Sequence, residues 1–328
     1  MEPLYAGGQI TAGNKLAKVQ EEVMYLQRAL TEKDVLQKVT ENYWQIATIK
    51  YNLQTIEAAE KQIDAVLKQV QDYVNAGVTT RNAVLQVKLR KQELASNKLK
   101  LENGQHVLLL LLAQQIGMAN QNIDIDSNAI TEVQLPAMAD SQTAAAAREE
   151  LQLAGKGVEA QQLQIKMERG KNLPTLAVGV MGYHTGFGGL SDTAKSYMKT
   201  TQTNALGLAT LSIPISNWWG GSKAIKRQKI KLQQAQNTYQ DAQEQLRIDI
   251  ESAWSNLTEA YKQIDIAKAS VEEAEENLRM SSDQYKMGTE TITNLLDAET
   301  LNRQAQDQLS SALATYQIRL ADYQRKIN

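Results

Sequence analysis

The chain has 328 residues, and its 35 lysine or arginine residues nearly balance its 37 aspartate or glutamate residues. This balance, with no aromatic residues interleaved among basic ones, argues against a nucleic-acid-binding protein. The absence of cysteine excludes disulfide bonds and thiolate metal sites. Alanine, glutamine, leucine, lysine and glutamate dominate the composition, which is typical of long helices.

One pattern occurs twice along the chain. In the first copy a short segment ends at Gly7-Gly8, and a helical pattern then runs to Gly77, which lies 69 residues after Gly8. In the second copy the pattern follows Gly220-Gly221 and runs to Gly288, which lies 67 residues after Gly221. At about 1.5 Å rise per residue, each copy predicts a helix of roughly 100 Å that breaks at one glycine.

Both long helices carry apolar residues at alternating spacings of three and four, the heptad pattern of supercoiled helices. Polar residues fill the remaining faces, and the many alanines allow neighbouring helices to approach closely. The predicted seam of the first helix comprises Leu16, Val19, Val23, Leu26, Leu30, Leu36, Val39, Tyr43, Ile46, Ile63, Leu67, Val70 and Val74. That of the second comprises Leu232, Ala235, Tyr239, Ala242, Leu246, Ile250, Ala253, Leu257, Ala260, Ile264, Ala267, Val271, Ala274 and Leu278.

A shorter returning helix is predicted after each glycine break, over about 78–118 and 289–327. The apolar run 107–113 is too short to span a bilayer and is interpreted as a buried helix segment. Residues 123–142, which include several Asp, Ser and Asn residues and Pro136, are predicted to be an irregular linker. Helix resumes over about 143–170.

Two strands are predicted near 173–184 and 203–214, and they should pair antiparallel. The glycine-rich segment 185–192 is expected to form the polar tip between them. Each strand has about ten to twelve residues, the length of a tilted strand that crosses a bilayer. In the first strand, one face carries Leu176, Val178 and Val180, and the other carries Ala177, Gly179 and Met181.

Aromatic residues near the strand ends fit positions at a membrane interface, where tryptophan and tyrosine are enriched. They are Trp218, Trp219, Tyr183 and Phe187. The alternative is a soluble hairpin that caps a helical bundle, with the Trp218-Trp219 pair as its small core.

The order of helix, two strands, Gly-Gly, long helix, glycine turn and returning helix resembles the TolC-like outer membrane efflux protein family. The most specific stretches are RGKNLPTL at 169–176, YKMGTET at 285–291 and NLLDAE at 294–299. The resemblance implies a mainly α fold with a small β part. Long antiparallel helical hairpins of the α-barrel type form two repeats, and a strand pair contributes to a trimeric outer membrane β-barrel.

The resemblance divides the chain into an incomplete first repeat at 1–122, a linker at 123–142 and a second repeat at 143–328. The second repeat contains the strand pair 173–215, the long helix 222–287 and the returning helix 289–327. The family repeat begins with a short helix and two strands, and in the first copy only a strand end is present. The chain is therefore expected to be N-terminally truncated relative to the family, by roughly 70 residues plus a signal sequence.

The function that the resemblance implies is a passive exit duct in the outer membrane of a Gram-negative bacterium, with a periplasmic helical tunnel. Such a channel of a tripartite efflux or type I secretion system is a homotrimer that contacts outer membrane lipid, a periplasmic adaptor (membrane fusion) protein and an inner membrane pump. It has no catalytic activity and no cofactor. The alternatives are a periplasmic adaptor, which should have β-rich segments around a single hairpin, and a soluble coiled-coil scaffold.

The resemblance also implies a pore constriction near the glycine turns, closed by polar side chains and a tyrosine. The candidate constriction residues are Asp297, Asn294, Tyr285, Glu290 and Asn82. In a trimer, one Asp297 per chain would form a ring of three carboxylates, which favours cations. The alternatives are that Asp297 is an exposed acid near a helix start, favoured by the helix dipole, and that Tyr285 belongs to the heptad seam.

The expected adaptor-contacting tips are Gly77, Val78, Gly288 and Thr289. The two glycines are also expected to be turn residues with positive φ, a backbone conformation that glycine adopts without steric cost. Residues His106 and His184 are far apart in sequence and have no ligand cluster, so no metal site is predicted.

Overall fold

A computed structural model describes residues 1–119, 122–126, 133–191, 196–215 and 218–327. The first repeat contains β1 (Glu2–Ala6), α1 (Gln9–Asn75) and α2 (Arg81–Gln115). The second contains α3 (Ser141–Ala147), α4 (Glu149–Gly170), β2 (Thr175–Ser191), β3 (Ser196–Ser212), α5 (Trp218–Lys286) and α6 (Ile292–Ile327). The prediction of a mainly helical fold with a small β part is confirmed.

The two long helices are present, with 67 residues in α1 and 69 in α5. Helix α5 begins at Trp218 rather than at the predicted residue 222, so Gly220 and Gly221 lie in its first turn. A helix of this length needs tertiary packing, because propensity alone contributes little to its stability in water. The predicted seam of α5 provides that packing from Leu246 to Ala267, where every seam residue is buried.

The strands form one antiparallel sheet in the order β1-β2-β3. Within the β2–β3 pair, Ala177 lies opposite Thr210, which confirms the predicted pairing. The strands are longer than predicted, with 17 residues each. The expectation of a glycine-rich tip over 185–192 was wrong for most of that segment, because residues 185–191 pair with 196–202 along the hairpin.

Strand β3 changes the character of the face of β2 that carries Ala177, Gly179 and Met181. Leu206 lies opposite Met181 and Leu208 lies opposite Gly179, so β3 adds large apolar side chains to the face with the smaller β2 residues. Both faces of the hairpin therefore present apolar side chains.

The chain forms two compact units, and each takes segments from both repeats. Unit 1 comprises Met1–Ala29 and Glu149–Gln245, and unit 2 comprises Leu30–Arg148 and Leu246–Asn328. Unit 1 contains the sheet, α4 and the first parts of α1 and α5. Unit 2 contains α2, α3, α6 and the remaining parts of α1 and α5, with the larger share of the buried core.

In unit 1, one glycine of each Gly-Gly pair lies against the end of α4 or the residues that follow it. A Cβ atom on Gly7 would lie 2.2 Å from the carbonyl oxygen of Gly170, and one on Gly221 would lie 2.4 Å from the side-chain amide of Asn172. Gly7 and Gly221 thus have a similar role, since each lets the chain near the start of a long helix approach residues 170–172 without a side chain between them, whereas Gly8 and Gly220 make no such contact.

Helix α3 ends at Ala147, so the single helix predicted over 143–170 was wrong at this point. Asp140 caps the start of α3 by accepting a hydrogen bond from the backbone N–H of Thr143 at 2.9 Å, and Arg148 has an extended backbone. Neither proline nor glycine marks this break in the sequence.

Two further predictions about burial were wrong. The run 107–113 lies in α2 as expected, but Val107, Leu110 and Leu111 are exposed, and only Leu112 and Ala113 in it are buried. A continuous apolar run covers every face of a helix, and unit 2 buries only one of them. In α1, Leu36 is 66% exposed because it follows Leu30 by six residues rather than seven and so leaves the seam.

Among the described residues, no helix is both long enough and apolar enough to cross a membrane.

The contact between Gly170 and Gly7 predicts a difference between two alanine substitutions in α4. Replacing Gly170 with Ala places a Cβ atom 2.6 Å from the carbonyl oxygen of Gly7, which should destabilise unit 1 by about 1–3 kcal/mol. Gly157→Ala is the matched control: its Cβ atom meets nothing within 4 Å, and removing a helical glycine should stabilise by roughly 0.5–1 kcal/mol. Thermal unfolding followed by circular dichroism should show opposite shifts, and equal shifts would contradict this packing.

Candidate functional site

The two helix reversals in unit 2 have the same backbone geometry. Gly77 has φ 75° and Gly288 has φ 76°, so the positive φ expected at both is confirmed. The N–H of Gly288 donates to the carbonyl of Tyr285 at 3.1 Å, and the N–H of Thr289 donates to that of Gln284 at 3.0 Å. Residues 77 and 78 donate in the same pattern at the end of α1. This Schellman motif satisfies the last carbonyls of each long helix and fixes where the chain turns back.

Each reversal exposes one large apolar side chain, Val78 at 69% and Met287 at 70%. Thr289 is also exposed, and its hydroxyl donates to the carbonyl of Gln284 at 3.1 Å. Val78 was predicted as a tip residue, whereas Met287 was not.

The first turn of α6 is held by local hydrogen bonds. Thr291 caps the helix, because its hydroxyl accepts a hydrogen bond from the N–H of Asn294 at 3.2 Å. Asn294 also donates from its side chain to the carboxylate of Glu290. The structure therefore brings together two of the predicted constriction residues, Asn294 and Glu290.

Asp297 is exposed, one turn after Asn294 on the same face of α6. No ion pair within the described residues neutralises its carboxylate. The residue lies beyond the first turn of the helix, where the helix dipole has little effect. Asp297 and Asn294 thus form a polar surface at the start of α6, close in sequence to the turn at Gly288.

Asn82 is exposed near the start of α2, the returning helix of the first repeat. The two returning helices are joined by a hydrogen bond of 3.4 Å from the Thr293 hydroxyl to the side chain of Gln86. Among the described residues, Asn82 has no hydrogen bond to Asn294 or Asp297. The predicted constriction residues therefore lie on the two helices without contacting one another across them.

Tyr285 is buried and faces the interior of unit 2. It belongs to an apolar cluster that draws residues from α1, α2, α5 and α6: Ile63, Val66, Val70, Ala83, Val87, Leu94, Ile292, Leu295 and Leu296. Its ring centroid lies 6.0 Å from that of Tyr73, and its hydroxyl has no hydrogen-bond partner. Burial, with a smaller contribution from Tyr73, raises the pKa of the Tyr285 phenol. Of the two interpretations of Tyr285, its burial favours a position in the heptad seam over one in the constriction.

Tyr73 joins the ends of the two long helices and was not predicted. Its hydroxyl donates to the backbone carbonyl of Lys286 at 3.4 Å and accepts from the side-chain amide of Gln69 at 3.0 Å. Its position four residues before Gly77, the glycine that ends α1, is the sequence signal that could have identified Tyr73.

A buried carboxylate lies one turn deeper in the bundle. Glu299 is 9% exposed, and its Oε1 has no hydrogen-bond partner. Burial raises the pKa of the Glu299 carboxyl to about 7, and the positive charge of Arg90 on α2 partly offsets that shift. Arg90 is itself bonded to Glu93 at 2.5 Å and to the hydroxyl of Thr300. Glu299 occupies a seam position of α6, four residues after Leu295, which is the signal that could have identified it.

Beyond Glu299, the inward side of α6 has polar groups among buried alanine and tyrosine residues. Arg303 forms an ion pair of 2.7 Å with Asp307, and the hydroxyl of Ser310 donates to the side-chain carbonyl of Asn52 at 2.7 Å. Burial raises the pKa of the Asp307 carboxyl even though Arg303 opposes the shift. Polar groups are thus buried along α6, whereas the cluster around Tyr285 is apolar.

The membrane-interface candidates are only partly described. Tyr183 lies on β2 and is exposed, opposite Asn204 of β3. The side chains of Phe187, Trp218 and Trp219 lie outside the described residues. No group of three histidine, cysteine, aspartate or glutamate residues in the described part of the chain could hold a metal ion.

Comparison with known proteins gives consistent matches in sequence and fold. The family model described as outer membrane efflux protein matches residues 141–324. The outer membrane protein TolC of Salmonella enteritidis is 27% identical over 164 residues, which cover 47% of this chain and 32% of that protein. The chain therefore spans about a third of the length of the curated relatives it matches.

Solved structures extend the likeness to nearly the whole chain. A membrane protein from Pseudomonas aeruginosa matches with a TM-score of 0.84 and 14% identity, over 99% of this chain and 75% of that one. The outer membrane protein VceC of Vibrio cholerae matches with a TM-score of 0.78 and 14% identity, over 99% of this chain and 77% of that one. At such low identity these matches establish the fold alone.

The buried carboxyl of Glu299 predicts that stability depends on pH. Because its pKa is about 7 in the folded chain and 4.5 ordinarily, the folded state binds the proton more tightly between these values. Stability should therefore fall as pH rises through this window, by up to about 3 kcal/mol. Glu299→Gln should remove the dependence, so that the variant is more stable than the parent at pH 8 and similar at pH 4.

Urea unfolding at several pH values measures this difference. Glu272→Gln, at an exposed glutamate of α5, is the control and should change the pH profile little. A Glu299→Gln variant that is less stable than the parent at pH 8 would show that the ionised carboxylate is stabilised by Arg90 after all.

Proposed function

Because the chain belongs to the outer membrane efflux protein family, we propose that it acts as a channel component in the outer membrane of a Gram-negative bacterium. In this role it is a passive exit duct of a tripartite efflux or type I secretion system. The observation that carries the proposal is the family match over 141–324, which includes the strand pair, the long helix α5 and most of α6.

The hairpin of β2 and β3 supports the placement in a membrane. Its strands present apolar side chains on both faces, including Val180, Met181, Leu206 and Leu211, and Val180 is 85% exposed. Exposed apolar side chains on both faces are costly in water, but a barrel wall packs one face against lipid. A soluble cap on a bundle would bury one of these faces instead.

We infer a homotrimer in contact with a periplasmic adaptor protein and an inner membrane pump. The rigid reversals at Gly77 and Gly288, with exposed Val78 and Met287, suit the adaptor contact. Two equivalent reversals per chain would present repeated, similar sites around a ring. An adaptor as the identity of this chain is disfavoured, because it would need β-rich segments around one hairpin.

The proposed constriction is formed by polar side chains at the start of the returning helices. Asp297 and Asn294 of α6 and Asn82 of α2 are exposed and lie outside the apolar cluster, and Glu290, just before α6, is half-buried. Tyr285 supports the constriction from inside the bundle rather than lining it, because its ring packs against Tyr73. In a trimer the Asp297 carboxylates would repeat around the bore and favour cations.

Replacing Asp297 with Asn should reduce the preference of the channel for cations and its block by multivalent cations. The change removes one negative charge per chain from an exposed helix surface, so folding should change by less than about 0.5 kcal/mol. Single-channel recording of the protein in planar bilayers measures both properties.

Asp265→Asn is the matched control, because Asp265 is an exposed acid of α5 in the same unit, distant in sequence from the reversal. It should leave selectivity unchanged. Equal selectivity in the Asp297→Asn variant and the parent would contradict the proposed constriction.

A further inference from the structure

A segment of unit 1 differs in charge from the rest of the chain. From residue 193 to residue 240 the sequence has seven lysine or arginine residues and no aspartate or glutamate, although acids slightly outnumber bases in the whole chain. Five of the seven lie early in α5: Lys223, Lys226, Arg227, Lys229 and Lys231. These five residues are called the basic face here.

The basic face is available for an external partner. All five side chains are exposed, and none of them forms an ion pair with another described residue. At 100° per residue they occupy about half of the helix circumference, so their charges add on one side. Unpaired like charges on one side repel one another and favour an anionic partner.

Part of the basic face borders a shallow, open cavity of about 720 Å³. Lys226 and Lys229 line it together with Ser222 and Ile225 of the same helix face, and Asn172 lines it from the segment after α4. Two ammonium groups, a hydroxyl and an amide supply hydrogen-bond donors of the kind that bind phosphate oxygens.

The residues that line this cavity include two lysines and no acid. Glu168, near the end of α4, pairs with Lys171 at 2.8 Å. Asn172 approaches the backbone of α5 closely, since a Cβ atom on Gly221 would lie 2.4 Å from its amide. The amide therefore lies close to Gly221, next to the helix face that carries the two lysines.

The basic face also follows directly on the apolar hairpin. Strand β3 ends at Ser212, α5 begins at Trp218, and Ile213 and Ile215 between them are exposed. An apolar segment followed within about ten residues by clustered lysines is typical of chains that meet an anionic membrane surface.

We propose that the basic face binds the phosphate groups of anionic lipids at the membrane surface, with one headgroup in the cavity formed by Ser222, Lys226, Lys229 and Asn172. This inference rests on the proposed membrane placement and adds a specific lipid contact to it. The lysines attract the headgroup by charge, and Asn172 and Ser222 donate hydrogen bonds to its phosphate oxygens.

Flotation with lipid vesicles tests the contact. The whole chain should bind vesicles of mixed phosphatidylcholine and phosphatidylglycerol more tightly than vesicles of phosphatidylcholine alone, and added salt should weaken the difference. The double variant Lys226→Gln/Lys229→Gln should lose roughly tenfold to thirtyfold of the affinity for the mixed vesicles. Lys262→Gln/Lys268→Gln, two exposed lysines of α5 in unit 2, should retain it.

The arms of the experiment separate the possible failures. Binding to phosphatidylcholine alone reports on the membrane placement, whereas the excess for phosphatidylglycerol reports on the headgroup contact. Equal binding to both vesicle types, or equal losses in the two double variants, would overturn the contact and leave the placement standing. Displacement from mixed vesicles by millimolar inorganic phosphate at constant ionic strength would show a free-anion site and would also overturn it.

Discussion

Side-chain packing along the heptad seam of unit 2 is the constraint on which the other features depend. The apolar cluster around Tyr285 draws on α1, α2, α5 and α6, so both helix reversals share one packed end. Once Leu295 and Leu296 are buried there, the 3.6-residue period leaves Asn294 and Asp297 on the exposed side of α6. The position of the proposed constriction is therefore a consequence of core packing.

The interior of this bundle includes polar groups midway along α6, between the apolar cluster and the buried residues Tyr316 and Tyr323. Next to the cluster lie Glu299 and Arg90, and further on lie the pair Arg303 and Asp307. The pair Arg303 and Asp307 lies within α6, so a slip of that helix would leave it intact. The same slip would break the hydrogen bonds that join α6 to its neighbours, from Ser310 to Asn52 and from Arg90 to Thr300, and leave partly buried polar groups unsatisfied. We infer that these contacts between helices fix the register of α6.

The sequence predicted the elements whose signals are local. The seam of α5 from Leu246 to Ala267 and the glycine reversals followed from periodicity and from the conformational range of glycine. The full length of the strands did not, because a segment rich in glycine and threonine resembles a turn until its pairing partner is known. The break at Arg148 had no proline or glycine to mark it.

In the candidate site, as in the fold, the features with local sequence signals were predictable and those that depend on distant contacts were not. Exposed Asn294 and Asp297 lie on one helix face, as their spacing indicated. The burial of Tyr285 against Tyr73 depends on the packing of two helices that are more than 200 residues apart in sequence, which no local pattern specifies. Glu299 was missed for the same reason, because a single acid in a heptad pattern shows neither its burial nor its partner.

The most direct test of this account is the distance between the two reversals. The chain has no cysteine, so spin labels can be attached at Val78→Cys and Met287→Cys alone, with excess unlabelled chain added to dilute contacts between copies. Because Tyr73 bonds to Lys286, double electron–electron resonance should give one narrow distribution centred below about 30 Å. A broad distribution extending beyond about 50 Å would mean that the reversals do not share a packed end, and the account would fail.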